Sequence, residues 1–302
     1  MPKFNPNNVM IQETKTGEIP FEQGDLIIKK IIDDSVITKL AKYEPMTKPR
    51  KIFSYLAEGP GAYWVGETEK IQTSSAKWLT VEMEAKKLGV ILPVSKEFLR
   101  YSVTDFFNMM KPEIAKAFQI KFDQAAMFGI DSPYKPGISI YERAEKSGNV
   151  LTQTTDLYQD LNGLIALVED KDNIPEAFAT TRKFNRDLRG AVDNNKLPIF
   201  NEPRNGVTAT ALGLPISYGN RKAWDEEKAL MFTGEFDSAR YGILQNIEYA
   251  ISEDATLSTI TDESGEVINL FERDMFALRA TMHIAFLTIK EDAFAVLKPK
   301  TE

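Results

Sequence analysis

The sequence contains no cysteine and a single histidine, His283. The absence of cysteine excludes disulfide bonds, a thiolate nucleophile and any zinc or iron–sulfur site held by thiolates. A single histidine excludes a multi-histidine metal site, and a Ser–His–Asp triad would have to use His283. Because His283 lies in an apolar alternation, we expect a partly buried structural histidine or one that faces a neighbouring molecule.

The chain also lacks a surplus of positive charge and a long apolar run. The formal net charge is -7 at 302 residues, which argues against tight, sequence-independent binding of nucleic acid. No segment approaches the roughly 20 consecutive apolar residues of a membrane helix, and the first eight residues lack the apolar stretch of a signal peptide. With 43% hydrophobic and 27% charged residues, the composition is typical of a globular protein with a sizeable core.

Signatures of common enzymes are missing as well. The sequence has no dinucleotide-binding glycine fingerprint, no Gly-Lys-Ser/Thr phosphate loop and no nucleophile elbow. Neighbouring carboxylates, which in other settings bind divalent cations or perform acid–base work, occur at Asp33–Asp34, Asp225–Glu227 and Glu253–Asp254. Because these groups fall in loops or on polar faces, we interpret them as solvated surface. The sequence therefore predicts no enzyme, no cofactor and no metal site.

The first half of the chain changes its periodicity twice. Residues 1–24 are broken by prolines and lack a repeat, which is typical of an extended arm, and residues 25–40 have the spacing of a short amphipathic helix. Residues 50–94 alternate with a period of two and predict a long hairpin, whose connecting segment contains Tyr63 and Trp64. We expect this hairpin to project from the body and to need a neighbouring molecule to cover its aromatic side chains.

A long helix is the strongest local signal. After a short helix start with Ser95 as N-cap, residues 104–128 carry one apolar stripe and end at Gly129. Pro112 lies inside this run, so we expect a kink or a helix restart there. The stripe consists of Phe107, Met110, Ile114, Phe118, Phe122 and Ala125.

The second half alternates between helical and strand patterns. The loop-like residues 129–153 separate it from the long helix, and residues 271–297 are rich in strand formers and should return to pair with the first half. Between them we predict helices at 156–169 and 182–192, strands at 177–180, 212–217, 229–232, 241–245 and 248–252, and a hairpin at 257–269.

Six motifs stand out along the chain: Ala62–Ile71, Lys87–Leu99, Gly213–Ile216, Phe232–Asp237, Phe271–Thr281 and Asp292–Leu297. In this order they resemble motifs of tailed-bacteriophage major capsid proteins of the Hong Kong 97 type, and most closely those of siphophages of Gram-positive hosts. The first two resemble the extended loop and its junction with the spine helix, the next two resemble strand entries of the apical domain, and the last two resemble the closing peripheral strands.

This resemblance implies an α+β protein of the Hong Kong 97-type capsid fold, with an N-terminal arm, an extended β-hairpin loop, a peripheral domain with a long spine helix and an α/β apical domain. The implied boundaries are 1–45 for the arm and short helix, 46–94 for the extended loop, 95–149 for the peripheral domain with the spine helix, 150–255 for the apical domain and 256–302 for the returning part of the peripheral domain.

The resemblance also implies a function without catalysis. The chain would be a shell subunit that forms hexamers and pentamers of itself, closes an icosahedral head around double-stranded DNA and contacts that DNA non-specifically. It would be assembled in the host bacterial cytoplasm with a portal protein, become part of the virion and contact no membrane. Because the sequence starts almost directly in the arm, we expect a separate scaffolding protein or a processed chain.

The residues that we expect at contacts between subunits lie in and around the hairpin. They are Arg50, Lys51, Tyr63, Trp64, Glu67, Lys70, Trp78 and Arg279. Some members of the family form lysine–asparagine cross-links, but no partner for Lys70 or Lys77 can be matched, so we predict none. Two alternatives stay open at the level of sequence: an encapsulin-like compartment shell and a soluble α/β enzyme or ligand-binding protein.

Overall fold

The structure is a computed structural model that describes residues 35–65, 67–68, 70, 73–75, 77–96, 103–193, 195–202, 208–261 and 267–300. The predicted N-terminal arm and most of the predicted helix at 25–40 lie outside the described residues. Five α-helices occur in the described part of the chain: α1 (Val36–Leu40), α2 (Val103–Asp123), α3 (Ile140–Ser147), α4 (Leu157–Glu169) and α5 (Asn185–Gly190).

A five-stranded sheet contains the predicted hairpin and part of the returning segment. Its strand order is β1-β10-β13-β3-β2, and all neighbours are antiparallel except β1 and β10. The prediction that the C-terminal segment pairs with the first half is confirmed by the β3–β13 pair. The strands are β1 (Lys42–Tyr43), β2 (Arg50–Glu58), β3 (Lys77–Ser95), β10 (Ala239–Ser252) and β13 (Met275–Thr288).

A seven-stranded sheet is built mainly from the second half of the chain, in the order β4-β14-β9-β5-β8-β7-β6. Its strands are β4 (Val150–Thr152), β5 (Ala177–Thr181), β6 (Phe200–Asn201), β7 (Thr210–Ala211), β8 (Leu214–Gly219), β9 (Met231–Gly234) and β14 (Phe294–Lys298). A separate hairpin consists of β11 (Thr256–Thr261) and β12 (Val267–Asn269), as predicted for 257–269, and its turn at 262–266 lies outside the described residues.

Sheet membership divides the chain differently from the predicted boundaries. The residues of β10 fall within the predicted apical range 150–255, yet β10 lies in the five-stranded sheet beside β13. The residues of β14 fall within the predicted peripheral range 256–302, yet β14 pairs with β9 and β4 in the seven-stranded sheet. The chain therefore passes between the two sheets more than once, and the division into domains stays a prediction.

The long helix α2 runs through Pro112 without interruption and continues into one turn of π-helix at Gln124–Phe128. Of the two alternatives expected at Pro112, the restart is wrong, because the loss of one backbone donor does not outweigh the packing of the whole apolar stripe, and the kink stays a prediction. The stripe side chains described from Ile114 onward are buried. Gly129 ends the helix with a positive φ of 69°, a conformation that glycine adopts without strain.

Ser95 is the last residue of β3 and directly precedes Lys96, which is helical; the rest of the helix predicted to start there lies outside the described residues, so the N-cap stays a prediction. Two other local predictions differ from the structure. The helix predicted at 182–192 is a short 3₁₀ turn at Arg182–Phe184 followed by α5. The strands predicted at 241–245 and 248–252 form the single strand β10, because two register shifts against β13 absorb the break in alternation.

Trp224 joins the end of the long helix to the seven-stranded sheet. Its ring lies edge-on to Phe128 and to Phe232, with centroid distances of 5.5 Å in both cases, and its indole N–H donates to the carbonyl of Ala229 at 2.6 Å. A buried aromatic cluster whose polar atom is satisfied is a stable packing arrangement. Trp224 is therefore a packing residue of the core.

The short helix α1 is attached to α2 by a buried carboxylate. Ser35, the N-cap of α1, donates its hydroxyl to Asp123 Oδ1 at 2.6 Å, and the backbone N–H of Val36 donates to Asp123 Oδ2 at 3.3 Å. Burial raises the pKa of Asp123 to about 6, although the hydrogen bonds from Ser35, Val36 and Ile37 favour the charged form. The first described residues of the chain are thus fixed to the C-terminal end of the long helix.

Candidate intersubunit surface

The projecting hairpin consists of β2 and the first part of β3. Residues 77–84 of β3 pair with β2, whereas residues 85–95 pair with β13. One strand therefore begins in the hairpin and ends in the sheet, so the hairpin is held rigidly by the body of the molecule. Within the described residues, β2 is the outermost strand of this sheet and no further strand covers it.

Apolar side chains are exposed on both faces of this hairpin. Ile52, Leu56 and Trp78 are on one face, where Leu56 is the pairing partner of Trp78, and their exposed fractions are 67%, 43% and 64%. Leu79 is 42% exposed, and since successive strand residues point to opposite faces it lies on the other side, opposite its partner Tyr55. Apolar surface of this kind marks a site of interaction.

The described part of the loop at the hairpin tip adds an aromatic patch. Tyr63 and Trp64 are exposed, and the indole of Trp64 has no cover at all. The loop is fastened at its base, because the backbone N–H of Gly61 donates to Ser74 Oγ at 2.6 Å. Glu67 and Lys70 are exposed in the same loop, so the structure brings Tyr63, Trp64 and these two charged residues to one end of the hairpin.

Arg50 and Lys51 lie at the opposite end of β2 and have partners within the chain. Arg50 is 3.6 Å from both Glu82 and Glu84 across the strand pair. The Lys51 ammonium lies 2.8 Å from Glu44 Oε2. The other oxygen of this carboxylate, Oε1, accepts a hydrogen bond from the guanidinium of Arg240 at 2.6 Å. The hydrogen bond from Lys51, together with Arg240, holds the pKa of Glu44 below its usual value. Arg50 is largely exposed, whereas Lys51 is more covered.

Arg279 and His283 lie on β13, away from the hairpin tip. Arg279 is exposed, and its pairing partner on β3 is the exposed Ile91. His283 is half-buried and contacts the side-chain oxygen of Gln245. This position agrees with the expectation of a structural histidine and does not bring His283 to the hairpin.

The carboxylates singled out in the sequence have surface positions. Glu226 pairs with Lys183 and with Arg221, and Glu253 is 2.9 Å from Lys96. Asp33 and Asp34 lie outside the described residues. Among the residues that the structure describes, no group of three or more histidine, aspartate or glutamate side chains has a geometry that would hold a metal ion, and no helix there is long and apolar enough to cross a bilayer.

Sequence reasoning missed part of the apolar surface. Ile52, Leu56 and Leu79 are exposed beside Trp78, but alternation alone assigns one apolar face to the core and cannot show where along the strand the core ends. The signal present in the sequence is the consecutive pair Trp78-Leu79, because adjacent apolar residues in a strand leave one of them on each face.

Comparison with known proteins gives consistent matches over most of the chain. The model of the Phage capsid family matches residues 18–298. The "Major capsid protein" of Staphylococcus phage 80alpha is 44% identical over 98% of this chain and 89% of its own length. The "Probable major capsid protein gp17" of Mycobacterium phage D29 is 27% identical over 95% of this chain and 93% of its own length. A solved structure from Microbacterium phage Oxtober96 has a TM-score of 0.76 at 26% identity and covers 88% of this chain and 91% of its own.

Proposed function

This chain belongs to the phage capsid family, and from that premise we propose that it is the major capsid protein of a bacteriophage, the subunit that assembles with copies of itself into the shell. Its fold is that of the Hong Kong 97-type capsid proteins. The observation that carries the proposal is the 44% identity to a major capsid protein over 98% of the chain. The same match supports a phage shell rather than an encapsulin compartment or a soluble enzyme.

The finer features of the assembly are part of the same proposal. The subunits form hexamers and pentamers of an icosahedral head that encloses double-stranded DNA, with a portal protein and a separate scaffolding protein as assembly partners. Assembly takes place in the host cytoplasm, and the protein ends in the virion. Its role is structural, which accords with the relatives of the chain being shell proteins.

We further propose that the hairpin makes the principal contacts between subunits. A partner that covers Trp64 removes the largest uncovered side chain of the hairpin from water; burying a large apolar side chain contributes roughly 2–3 kcal/mol, and tryptophan is enriched at interface hot spots. The contact set is that expected from the sequence. Tyr63, Trp64 and Trp78 supply apolar area, Arg50, Lys51, Glu67 and Lys70 supply charge on the hairpin, and Arg279 supplies charge on β13.

The experiment that tests this role is Trp64→Ala, followed by electron microscopy and sedimentation of purified protein. We expect a large fall in particle yield with an unchanged unfolding midpoint, because the indole makes few contacts within the subunit. Phe271→Ala is the matched control, since Phe271 is also an exposed aromatic residue but lies outside the hairpin. Normal yield from Trp64→Ala would remove the hairpin contact from the proposal. A protein that stays monomeric even with its scaffolding and portal proteins would overturn the shell function itself.

A further inference from the structure

A cavity of about 350 Å³ lies between the long helix α2, the short helix α1 and the seven-stranded sheet. Helix α2 contributes Lys116 to its lining, α1 contributes Lys39, and Arg182 follows β5. A second cavity of about 310 Å³ shares Lys39, Arg182 and Tyr218 with the first. The two cavities are therefore neighbours, and we call them together the basic groove.

The groove opens at the carboxyl ends of two parallel strands. Strands β5 and β8 pair in parallel, with Thr181 opposite Gly219. Arg182 directly follows β5, and Asn220 directly follows β8, so both lie at the same edge of the sheet. In α/β sheets the crevice outside the carboxyl ends of parallel strands is the usual position of ligands. The topology thus places the groove where a binding site is expected.

The charge of the groove is opposite to that of the whole chain. The net charge is -7, but the lining contains Lys39, Lys116 and Arg182 and a single carboxylate, Glu113. All three cationic side chains are exposed, and none forms an ion pair with another described residue. The guanidinium of Arg182 lies 5.4 Å from the centre of the Tyr218 ring, which orients it while leaving N–H groups available to donate.

An unpartnered hydroxyl lies in the same groove. Ser217, which lines the second cavity, has a buried Oγ that makes no hydrogen bond within the described residues. A buried hydroxyl without a partner costs on the order of 1–3 kcal/mol. Ser217 Oγ is closed off from solvent, so it would donate to a bound oxygen only after its side chain rotated toward the cavity. The groove therefore combines positive charge with a donor that lacks an acceptor.

We infer that the basic groove binds phosphate groups of the double-stranded DNA that the shell encloses. Phosphate oxygens accept from arginine forks and from hydroxyls and are attracted by lysine charges. The exposed cations are spread over two neighbouring cavities, an arrangement that can contact more than one phosphate of a strand. The inference rests on the proposed shell function only for the source of the phosphate.

Binding of a labelled DNA duplex of about 20 base pairs to unassembled protein, followed by fluorescence anisotropy near 50 mM salt, tests the inference. We expect Lys116→Gln and Arg182→Gln each to weaken binding roughly tenfold and to reduce the slope of log K against log salt by about 0.9, since each removes one phosphate contact. Lys171→Gln, the same change at an exposed lysine outside the groove, should bind as the wild type does.

Glu113→Gln is the decisive variant, because it should tighten DNA binding and a misfolded protein would not. Inorganic phosphate at equal ionic strength should displace the duplex more effectively than chloride. Unchanged DNA affinity in Lys116→Gln, Arg182→Gln and Glu113→Gln would overturn the inference. Loss of phosphate binding with normal DNA binding would do the same and assign the groove to a small anion. If these variants lowered the particle yield but bound DNA normally, the inference would be overturned in favour of an acidic segment of a neighbouring subunit as the occupant of the groove. The shell function itself is tested separately, by electron microscopy of the wild-type protein.

Discussion

At the scale of single residues, Asp123 is a buried carboxyl group whose protonation is coupled to folding. It is fully buried, and its carboxylate accepts from Ser35 and from the backbone of Val36. Because desolvation raises its pKa from 3.8 to about 6, the folded protein holds a proton that the unfolded chain releases between these values. The attachment of α1 to α2 therefore depends on pH.

Lowering the pH from 6.5 to about 4 should strengthen the contribution of Asp123 to stability, since the folded state binds the proton more tightly than the unfolded state across that window. The contribution is fully present below the unfolded pKa and is lost as the pH rises through about 6. A shift of this size corresponds to at most about 3 kcal/mol. Urea unfolding of unassembled protein at several pH values should show that Asp123→Asn removes this slope. Asp172→Asn, at an exposed position, should retain it, and a slope retained in Asp123→Asn would contradict the prediction.

At the scale of elements, β9, β14 and β5 approach one another closely at Gly234. Gly234 ends β9, pairs with Phe294 and with Ala177, and has a φ of 157°. A Cβ at this position would lie 2.3 Å from the carbonyl oxygen of Ala293. The strands approach one another this closely only because the position lacks a side chain.

Gly234→Ala should destabilise the subunit by about 3 kcal/mol or more, because the clash is with backbone atoms of Ala293 and Phe294, at the start of β14, that cannot move away easily. Gly190→Ala is the matched control, since a Cβ there meets nothing within 4 Å and the residue is the last of a helix. Denaturant unfolding of the two variants measures the difference. Equal stability in both would show that β9 and β14 separate more readily than their pairing implies.

A helix or strand can be predicted from the sequence when residues close together in the chain determine it. The stripe from Ile114 to Ala125 and the alternation in β3 are local patterns, so the long helix and the hairpin were correctly predicted. The continuity of β10 depends on its partner β13, and the π-helical end of the long helix depends on packing against Trp224 and Phe232. Neither cause is visible along the sequence. The basic groove was missed for the same reason, because Lys39, Lys116 and Arg182 come together only in the folded chain.

At the scale of the whole molecule, both sheets pack on buried clusters, around Leu278 and Met282 in the five-stranded sheet and around Phe178 and Leu188 in the seven-stranded sheet. The five-stranded sheet ends in β2, whose outer edge has no partner strand within the described residues. An unpaired edge exposes backbone donors and acceptors to water and to other chains. Assembly should therefore change this part of the subunit most.

Hydrogen exchange by mass spectrometry should detect that change. Amides of residues 50–56 and 78–84 should exchange several-fold more slowly in assembled shells than in free subunits, because neighbouring subunits exclude water from the hairpin. Amides of the central strand β13, which has a partner on each side, should exchange at similar rates in both states. If the hairpin exchanged equally in shells and in free subunits, contacts between subunits would have to lie elsewhere.

The two-sided apolar hairpin also bears on when shells form. Ile52 and Trp78 lie on one face and Leu79 on the other, so a neighbour that packs against one face leaves the other face exposed to water. Under the proposed hairpin contact, each subunit that joins a cluster would cover one face and present another, and contacts of this head-to-tail kind end only when a ring closes. Small clusters would then be the least stable species, and shell formation would begin after a delay and above a threshold concentration.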